Sequence, residues 1–312
     1  MPLPSKNNPR ADEAMADKRI LHMVTPLKHM SPFDVNMAVD AGFDAVLTYT
    51  NVTLEEVTGL VQDAIFSRSP KAGVATGMFF AGKNAILALD MLEAAKKALV
   101  PPFAISFFAD PAGSFTTAAA LVACVQKMLR DKKQRELEGL KVAVFGATGV
   151  VGFSSAVIAA LEGADVTLVG YDGIKRVSDA AREIKARFNV AVHAADGSDD
   201  AKKTDLLAET QAALCAGRAG VRILSGEQLA AAKHLLIVAD VNAVPPSGVE
   251  GLEMTANGAE LTPHGTLGIG PLAIGGIKSK TESGLFKKMI AAEKPVRFDF
   301  RDAFRLAREL NG

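Results

Sequence analysis

Lys141-Val-Ala-Val-Phe-Gly146-Ala-Thr-Gly149-Val-Val-Gly152 decides the fold. An apolar strand runs straight into a glycine turn, and the turn opens an Ala/Val-rich helix that ends near Glu162, with Gly163 as its stop. Gly146 permits the tight turn. Gly149 lets backbone approach a pyrophosphate with no Cβ in the way, and Gly152 lets the helix pack closely on the strand. The helix N-terminus adds unpaired N–H donors and the positive end of its dipole. The spacing is G-x-x-G-x-x-G, so the motif draws its force from its context: a strand before it, a helix after it, and a second strand at Asp165 to Val169. Gly146, Thr148, Gly149, Val150, Val151 and Gly152 are the candidate dinucleotide-binding residues.

The second strand leads into Gly170-Tyr171-Asp172-Gly173-Ile174-Lys175-Arg176. A carboxylate here accepts the ribose hydroxyls of NAD, and a basic side chain pairs with the 2′-phosphate of NADP. Tyr171, Asp172, Lys175 and Arg176 offer both chemistries, so use of both NAD and NADP is expected. Further along, Cys215-Ala216-Gly217 and Asp240-Val-Asn242 lie at strand ends. Small residues there let a nicotinamide riboside lie against backbone, which adds Ala216, Gly217 and Asn242 to the candidates.

Outward from the turn, the chain alternates strand and helix on both sides. Strands are expected at Ile20 to Thr25, Asp44 to Tyr49, Val74 to Phe80 and Phe103 to Phe108. Helices are expected at Pro32 to Ala41 behind a Ser31 cap, at Thr53 to Phe66 behind a Thr53/Glu56 capping box, at Asn84 to Leu99, and at Ser114 to Lys133. After Lys141 come strands at Asp165 to Val169, Val190 to Ala194, Ala213 to Ala216 and Leu235 to Ala239. Residues Thr281 to Asn311 read as two helices, the last with Phe300, Ala303, Phe304, Ala307 and Leu310 on one apolar face. This rhythm predicts an α/β protein of two parallel-sheet domains. The expected division is a disordered tail over 1–18, a substrate domain over 19–135, a Rossmann-like dinucleotide domain over 136–280, and helices over 281–312 that pack back on the first domain.

With 35 Lys+Arg against 35 Asp+Glu the formal charge is zero, which disfavours nucleic acid or an anionic membrane as partner. The polar N-terminus and only two cysteines, Cys124 and Cys215, point to a cytoplasmic chain without disulfides. The uncharged run Val142 to Leu161 is long enough to span a bilayer, but its glycines and its change of period make it strand, turn and buried helix. No paired histidines and no G-x-S-x-G elbow support zinc or serine hydrolysis, so no metal is expected. A homo-oligomer is expected from the neutral surface and docking helices.

Three loops bring polar groups to the carboxyl rim of the first sheet: Lys28-His-Met-Ser31-Pro-Phe33-Asp34, Lys83-Asn84, and Asp110-Pro-Ala-Gly-Ser-Phe-Thr-Thr117. Ser114, Thr116 and Thr117 can cap a helix or bond a ligand. The Gly-rich run Leu267 to Lys278 reads as flexible backbone crossing a cleft, with a lysine at its end.

Taken together, Leu21 to Val35, Asp110 to Thr117, Gly146 to Gly152, Asp240-Val-Asn-Ala-Val-Pro-Pro246 and Gly268 to Lys278 resemble the NAD(P)-dependent methylene-tetrahydromethanopterin dehydrogenases of methylotrophic bacteria. The likeness runs from about Ile20 to the C-terminus. It implies oxidation of methylene- to methenyl-tetrahydromethanopterin in formaldehyde oxidation, by hydride transfer to NAD or NADP. A related NADP-specific branch, which also takes methylene-tetrahydrofolate, carries a basic residue where Tyr171 stands here. The resemblance places Lys278 and Asp110 at the reacting end, and Lys28, Ser31, Phe33, Asp34 and Thr117 about the pterin. A methylene-tetrahydrofolate dehydrogenase and a non-catalytic dinucleotide sensor are the alternatives.

Overall fold

The computed structural model describes residues 17–312. The expected tail over residues 1–18 therefore lies almost wholly outside the described residues.

The first alternating series is β1 (Ile20–Val24), α1 (Pro32–Ala41), β2 (Ala45–Tyr49), α2 (Val57–Phe66), β3 (Thr76–Phe80), α3 (Ala85–Lys97), β4 (Ser106–Ala109) and α4 (Ser114–Met128). The second is β5 (Lys141–Phe145), α5 (Val150–Leu161), β6 (Asp165–Gly170), α6 (Lys175–Phe188), β7 (His193–Asp196), α7 (Asp200–Glu209), β8 (Ala212–Cys215), α8 (Gly226–Ala231), β9 (Ile237–Asp240), β10 (Asn257–Glu260) and β11 (Leu267–Ile269). The chain then returns through α9 (Pro271–Ala291), β12 (Arg297–Phe298) and α10 (Phe300–Asn311).

Two sheets result. One has the order β12-β4-β3-β1-β2 with every pair parallel. The other has the order β10-β11-β9-β8-β5-β6-β7 and is parallel except for β10. In the first, strand order reverses between β1 and β3; in the second, between β5 and β8. Connections diverge at such points and open a crevice at the carboxyl ends of the strands.

The inner strands read as near-continuous apolar runs because helices cover both faces; all five residues of β3 are buried. Helix α4 joins the two halves. Eleven of its residues are buried, and it packs against α5, α9 and α10. Phe300 of α10 meets Phe115 of α4 edge-on at 5.2 Å and Phe188 of α6 at 5.4 Å, so the last helix fastens both series.

Several expectations are corrected. Helix α2 begins at Val57, and the Glu56 carboxylate accepts from Thr53 N–H at 2.7 Å without any reciprocal cap from the Thr53 side chain. Strand β7 lies at His193–Asp196, later than Val190 to Ala194, because it pairs from Thr167 to Gly170 of β6. The glycine-rich run is no flexible crossing. It forms β11 and then α9, so Gly275, Gly276 and Lys278 are helical. That helix passes without a break through the expected boundary at 280/281, and β12 pairs with β4 of the first sheet. On α10 the buried side is completed by Leu306, whereas Leu310 is 42% exposed. Among the described residues one helical stretch, Pro111–Lys133, is long and apolar enough to cross a membrane, and most of it is buried within the protein. The run Val142 to Leu161 is β5, the turn and α5.

Candidate active site

The glycine turn is a cradle made of backbone. Gly146 has φ +75°, and a Cβ there would sit 2.2 Å from the Ala216 carbonyl oxygen, so the β5 and β8 ends can approach only with glycine at this point. A Cβ on Gly152 would lie 2.4 Å from the Gly146 oxygen, which is the close helix–turn contact expected of the third glycine. Gly149 is different. Its φ of −82° suits any residue, and a Cβ would meet only the Gly146 oxygen at 3.3 Å. Gly149 also caps α5, and no side chain bonds the helix N-terminus. The first-turn N–H groups at Val150, Val151 and Gly152 are therefore left for an anion. This cradle fits a dinucleotide pyrophosphate.

Beside it lies a cavity of about 450 Å³, bordered by Gly146, Thr148, Gly149, Tyr171, Ala216 and Gly217, with Lys203, Arg218 and Arg222 added from the β7 and β8 sides. Arg176 braces two of the bordering residues, Tyr171 and Thr148. Its guanidinium donates to the Tyr171 hydroxyl at 3.1 Å, to Asp172 Oδ2 at 3.0 Å and to Thr148 Oγ1 at 3.2 Å. One arginine is thus held between the acidic candidate and the glycine turn. Lys175 is not part of this bracing: its side chain is 90% exposed and pairs with Asp179 at 3.2 Å. Asn242 is buried and works on its own loop. Its amide donates to the Pro246 carbonyl at 2.9 Å, and its Oδ1 accepts from Val244 N–H at 2.9 Å and Gly220 N–H at 3.2 Å. It shapes the floor behind Gly217 rather than facing the cavity.

The first sheet builds a site of another kind. A cleft of about 430 Å³ opens at its carboxyl rim, bordered by Lys28, Met30, Ser31, Asp34, Lys83 and Ala112 among others. Ser31 caps α1 by accepting from Asp34 N–H at 3.4 Å, and this capping fixes the first turn that carries Phe33 and Asp34. Behind the cleft sits Lys278. Its ammonium lies 3.9 Å from the Phe33 ring centroid and pairs with Glu282 one helical turn on. A Cβ on Gly113, at φ +63°, would come within 2.8 Å of the Lys278 Nζ, so the lysine reaches its place because residue 113 has no side chain. Asp110, fully buried, accepts from Phe115 N–H at 2.8 Å and from the Thr116 hydroxyl at 2.6 Å, and so caps α4. Thr117 donates to the Gly113 carbonyl at 2.6 Å and is spent on the helix start.

Three carboxyls, Asp34, Asp110 and Glu282, thus surround one ammonium. Burial pushes Asp34 up to about 7, reinforced by Asp110 and opposed by Lys278 and the Ser31 hydroxyl. Burial, with Asp110 adding to it, pushes Glu282 up to about 8 against the pull of Lys278. Burial also raises Asp110, against Lys278 and its donors Thr116 and Phe115. Unpaired charge is costly out of water, so an acid-rich cluster around one cation holds protons. Among the described residues no His/Cys/Asp/Glu group has the arrangement of a metal site.

The two halves meet in a further cleft of about 510 Å³. It is bordered on one side by Lys83, Asn84 and Ile86, and on the other by Thr148, Gly149, Val150 and Arg176. Lys83 borders this cleft and the Asp34 cleft alike, so the two clefts adjoin at that residue.

The structure therefore brings Gly146, Thr148, Gly149, Tyr171, Ala216 and Gly217 to one cavity, with Val150, Val151 and Gly152 in the first turn of α5 beside it and Asp172 joined through Arg176 to Tyr171 and Thr148. It brings Lys28, Ser31, Phe33, Asp34, Asp110 and Lys278 to the rim of the other sheet. Lys175, Asn242 and Thr117 face neither. Sequence reading missed Lys203, Arg218, Arg222 and Glu282. For Glu282 a signal existed, since it stands four residues after Lys278, but it has meaning only once that segment is helical.

Comparison with known proteins identifies the family. A family model described as "Methylene-tetrahydromethanopterin dehydrogenase, N-terminal" matches residues 32–112. The chain is 51% identical over 295 residues to an NAD(P)-dependent methylenetetrahydromethanopterin dehydrogenase of Methylorubrum extorquens, covering 95% of this chain and 99% of that one. It is 35% identical over 280 residues to the Bifunctional protein MdtA of the same organism, covering 90% and 94%. Among solved structures, the NAD-dependent malic enzyme of Thermotoga maritima superposes with a TM-score of 0.56 at 13% identity, covering 94% of this chain and 85% of that one, a likeness of fold. By its identity and coverage, the chain belongs to the NAD(P)-dependent methylenetetrahydromethanopterin dehydrogenase family.

Proposed function

We propose that the protein oxidises methylene-tetrahydromethanopterin to the methenyl form and passes the hydride to NAD or NADP. The reading rests on two clefts that adjoin at Lys83. One borders the glycine turn, a backbone cradle suited to a pyrophosphate, and the other borders the polar rim at Lys28, Ser31 and Asp34. Family membership supplies the substrate class.

A bound nicotinamide supplies the hydride acceptor, and the protein's own part is alignment. The α5 N-terminus and the glycine turn hold the pyrophosphate. Arg176 and Asp172 lie where the adenosine ribose would be read, and the small residues Ala216 and Gly217 leave room for the nucleotide against β8. Lys278 is set between Phe33, Gly113 and Glu282 and orients the pterin end by hydrogen bonding. It is not the proton acceptor, because the substrate carbon loses a hydride and no proton in this step. The methenyl product is a delocalised cation, so an ammonium beside the reacting carbon is unfavourable unless a negative charge answers it.

Residues 19–135 are read as the substrate unit and 136–280 as the dinucleotide unit, with α9 shared between them. A cytoplasmic setting is supported by two free, buried cysteines. A homo-oligomer is supported by the open edge strand β2 with Leu47 43% exposed; sedimentation measures it. The test of the function is an activity matrix of methylene-tetrahydromethanopterin and methylene-tetrahydrofolate against NAD and NADP. Turnover is expected with the first pterin and both nucleotides. Turnover only with the folate would reassign the carrier, and none with either would leave a nucleotide-binding protein.

A further inference from the structure

The Asp34 carboxyl has no role in the alignment just described, yet its placement is unusual. The residue is 1% exposed and its Oδ2 has no hydrogen-bond partner, although it borders the substrate cleft. The Glu282 Oε1 is likewise buried and without a partner. A buried carboxylate oxygen without a donor is expensive unless it is protonated or answers a charge that arrives later.

The titratable and charged groups facing Asp34 are Asp110 from the β4 end and Lys278 from α9, with Glu282 behind Lys278; Lys28, His29 and Lys83 stand along the cleft. Their roles differ. Asp110 already receives donors from Phe115 and Thr116 at the start of α4, so its oxygens are engaged there and only partly offset the upward push of burial. Glu282 is engaged by Lys278. Asp34 alone combines a free oxygen, a position on the cleft and a proton affinity near neutrality, about 7.

We propose that Asp34 is the counter-ion of the cationic product: it keeps its proton beside the uncharged methylene carrier and gives it to solvent when the carrier becomes a cation. The step balances. The C–H bond of the methylene carbon breaks with both electrons going to nicotinamide C4, so the carrier is oxidised and the nicotinamide reduced. The Asp34 O–H bond then breaks, its electron pair stays on the carboxylate, and the proton leaves through the cleft. Glu282, paired with Lys278, acts as its positioning residue. This inference rests on the function proposed above.

The test titrates methenyl-tetrahydromethanopterin onto the intact protein at pH 6 and pH 8, with proton release followed by a pH indicator in weak buffer. Wild type is expected to bind the product about tenfold more tightly at pH 8, since linkage allows up to about tenfold per pH unit below the carboxyl's own titration. It should release part of a proton per product bound near pH 7. Asp34→Asn should bind with no pH slope and no release. Glu282→Gln should keep both while lowering hydride-transfer turnover. Equal wild-type affinity at both pH values without proton release would overturn the proposal. So would a slope that survives in Asp34→Asn or vanishes in Glu282→Gln instead. A wild type that neither binds the methenyl carrier nor oxidises the methylene one would instead refute the proposed function itself, a result distinct from tight binding without a proton.

Discussion

The cradle on the second sheet and the acid–lysine cluster on the first are built from opposite materials. The cradle is backbone. Its specificity lies in missing side chains at Gly146, Gly149 and Gly152 and in the unpaired N–H groups at the start of α5. The cluster is made of side chains. Phe33 and Asp34 come from α1, Asp110 from the end of β4, and Lys278 and Glu282 from α9, all held by burial and mutual charge. A backbone site is insensitive to pH and is spoiled by added atoms. A side-chain site of this type is sensitive to pH and is spoiled by removing a charge or a donor.

The largest effect should come from adding atoms to the cradle. Gly149 has an ordinary φ and room for a Cβ, so Gly149→Val should fold and fill the pyrophosphate's space. Calorimetric titration should show affinity for NAD and NADP falling by roughly a thousandfold, about 4 kcal/mol. Near-normal affinity would remove the cradle from the site.

Taking away the cluster's cation should come next. Lys278→Ala should lower turnover at saturating pterin and nucleotide by about a hundredfold, the scale of losing alignment by about 1 Å, with NAD(P) affinity unchanged. Lys278→Arg should recover little, because a planar fork cannot replace a compact ammonium packed against Gly113 and Phe33. Wild-type turnover in the alanine variant would break the distinction between the two regions.

A single side chain at the cradle's edge sharpens it further. Arg176→Ala should weaken NADP by about tenfold through loss of a charged hydrogen bond and leave NAD little changed. Equal losses would show that Arg176 braces Thr148 and Tyr171 without reading the 2′-phosphate. Lys175→Ala, at an exposed position paired only with Asp179, should alter neither affinity measurably.

The smallest effect is one of stability. The folded-state titration of Asp34, about 7, lies above its ordinary value of 3.8, so the native state holds the proton more tightly than the unfolded chain does. Stability from this group is full below the unfolded value and falls as pH rises through the folded one. Asp34→Asn should therefore raise the melting temperature of the ligand-free protein by a few degrees at pH 8 and leave it nearly unchanged at pH 4. A gain of equal size at both pH values would mean that packing, and not titration, is responsible.

The sequence by itself determined the glycine turn, because the strand, the three glycines and the helix that make it are consecutive and their constraints are local. It also determined most of the alternating elements, whose apolar runs and caps, such as Ser31 for α1 and Asn84 for α3, act within a few residues. Where expectations failed, a distant partner had decided the outcome. The pairing of β7 with β6 moved that strand later, and packing of α9 against α1 and α4 turned a glycine-rich run into helix. The division of labour between Arg176 and Lys175 was open in the sequence, because adjacent helical residues point in different directions and only the third dimension puts Thr148 beside one of them. The acid cluster was legible only in its members Asp34, Asp110 and Lys278, named through resemblance, and not in Glu282 or in what the four do together. Asp34, Asp110, Lys278 and Glu282 are unremarkable charged residues one by one, and their shared proton affinity arises only when burial takes water away from several carboxyls around one ammonium.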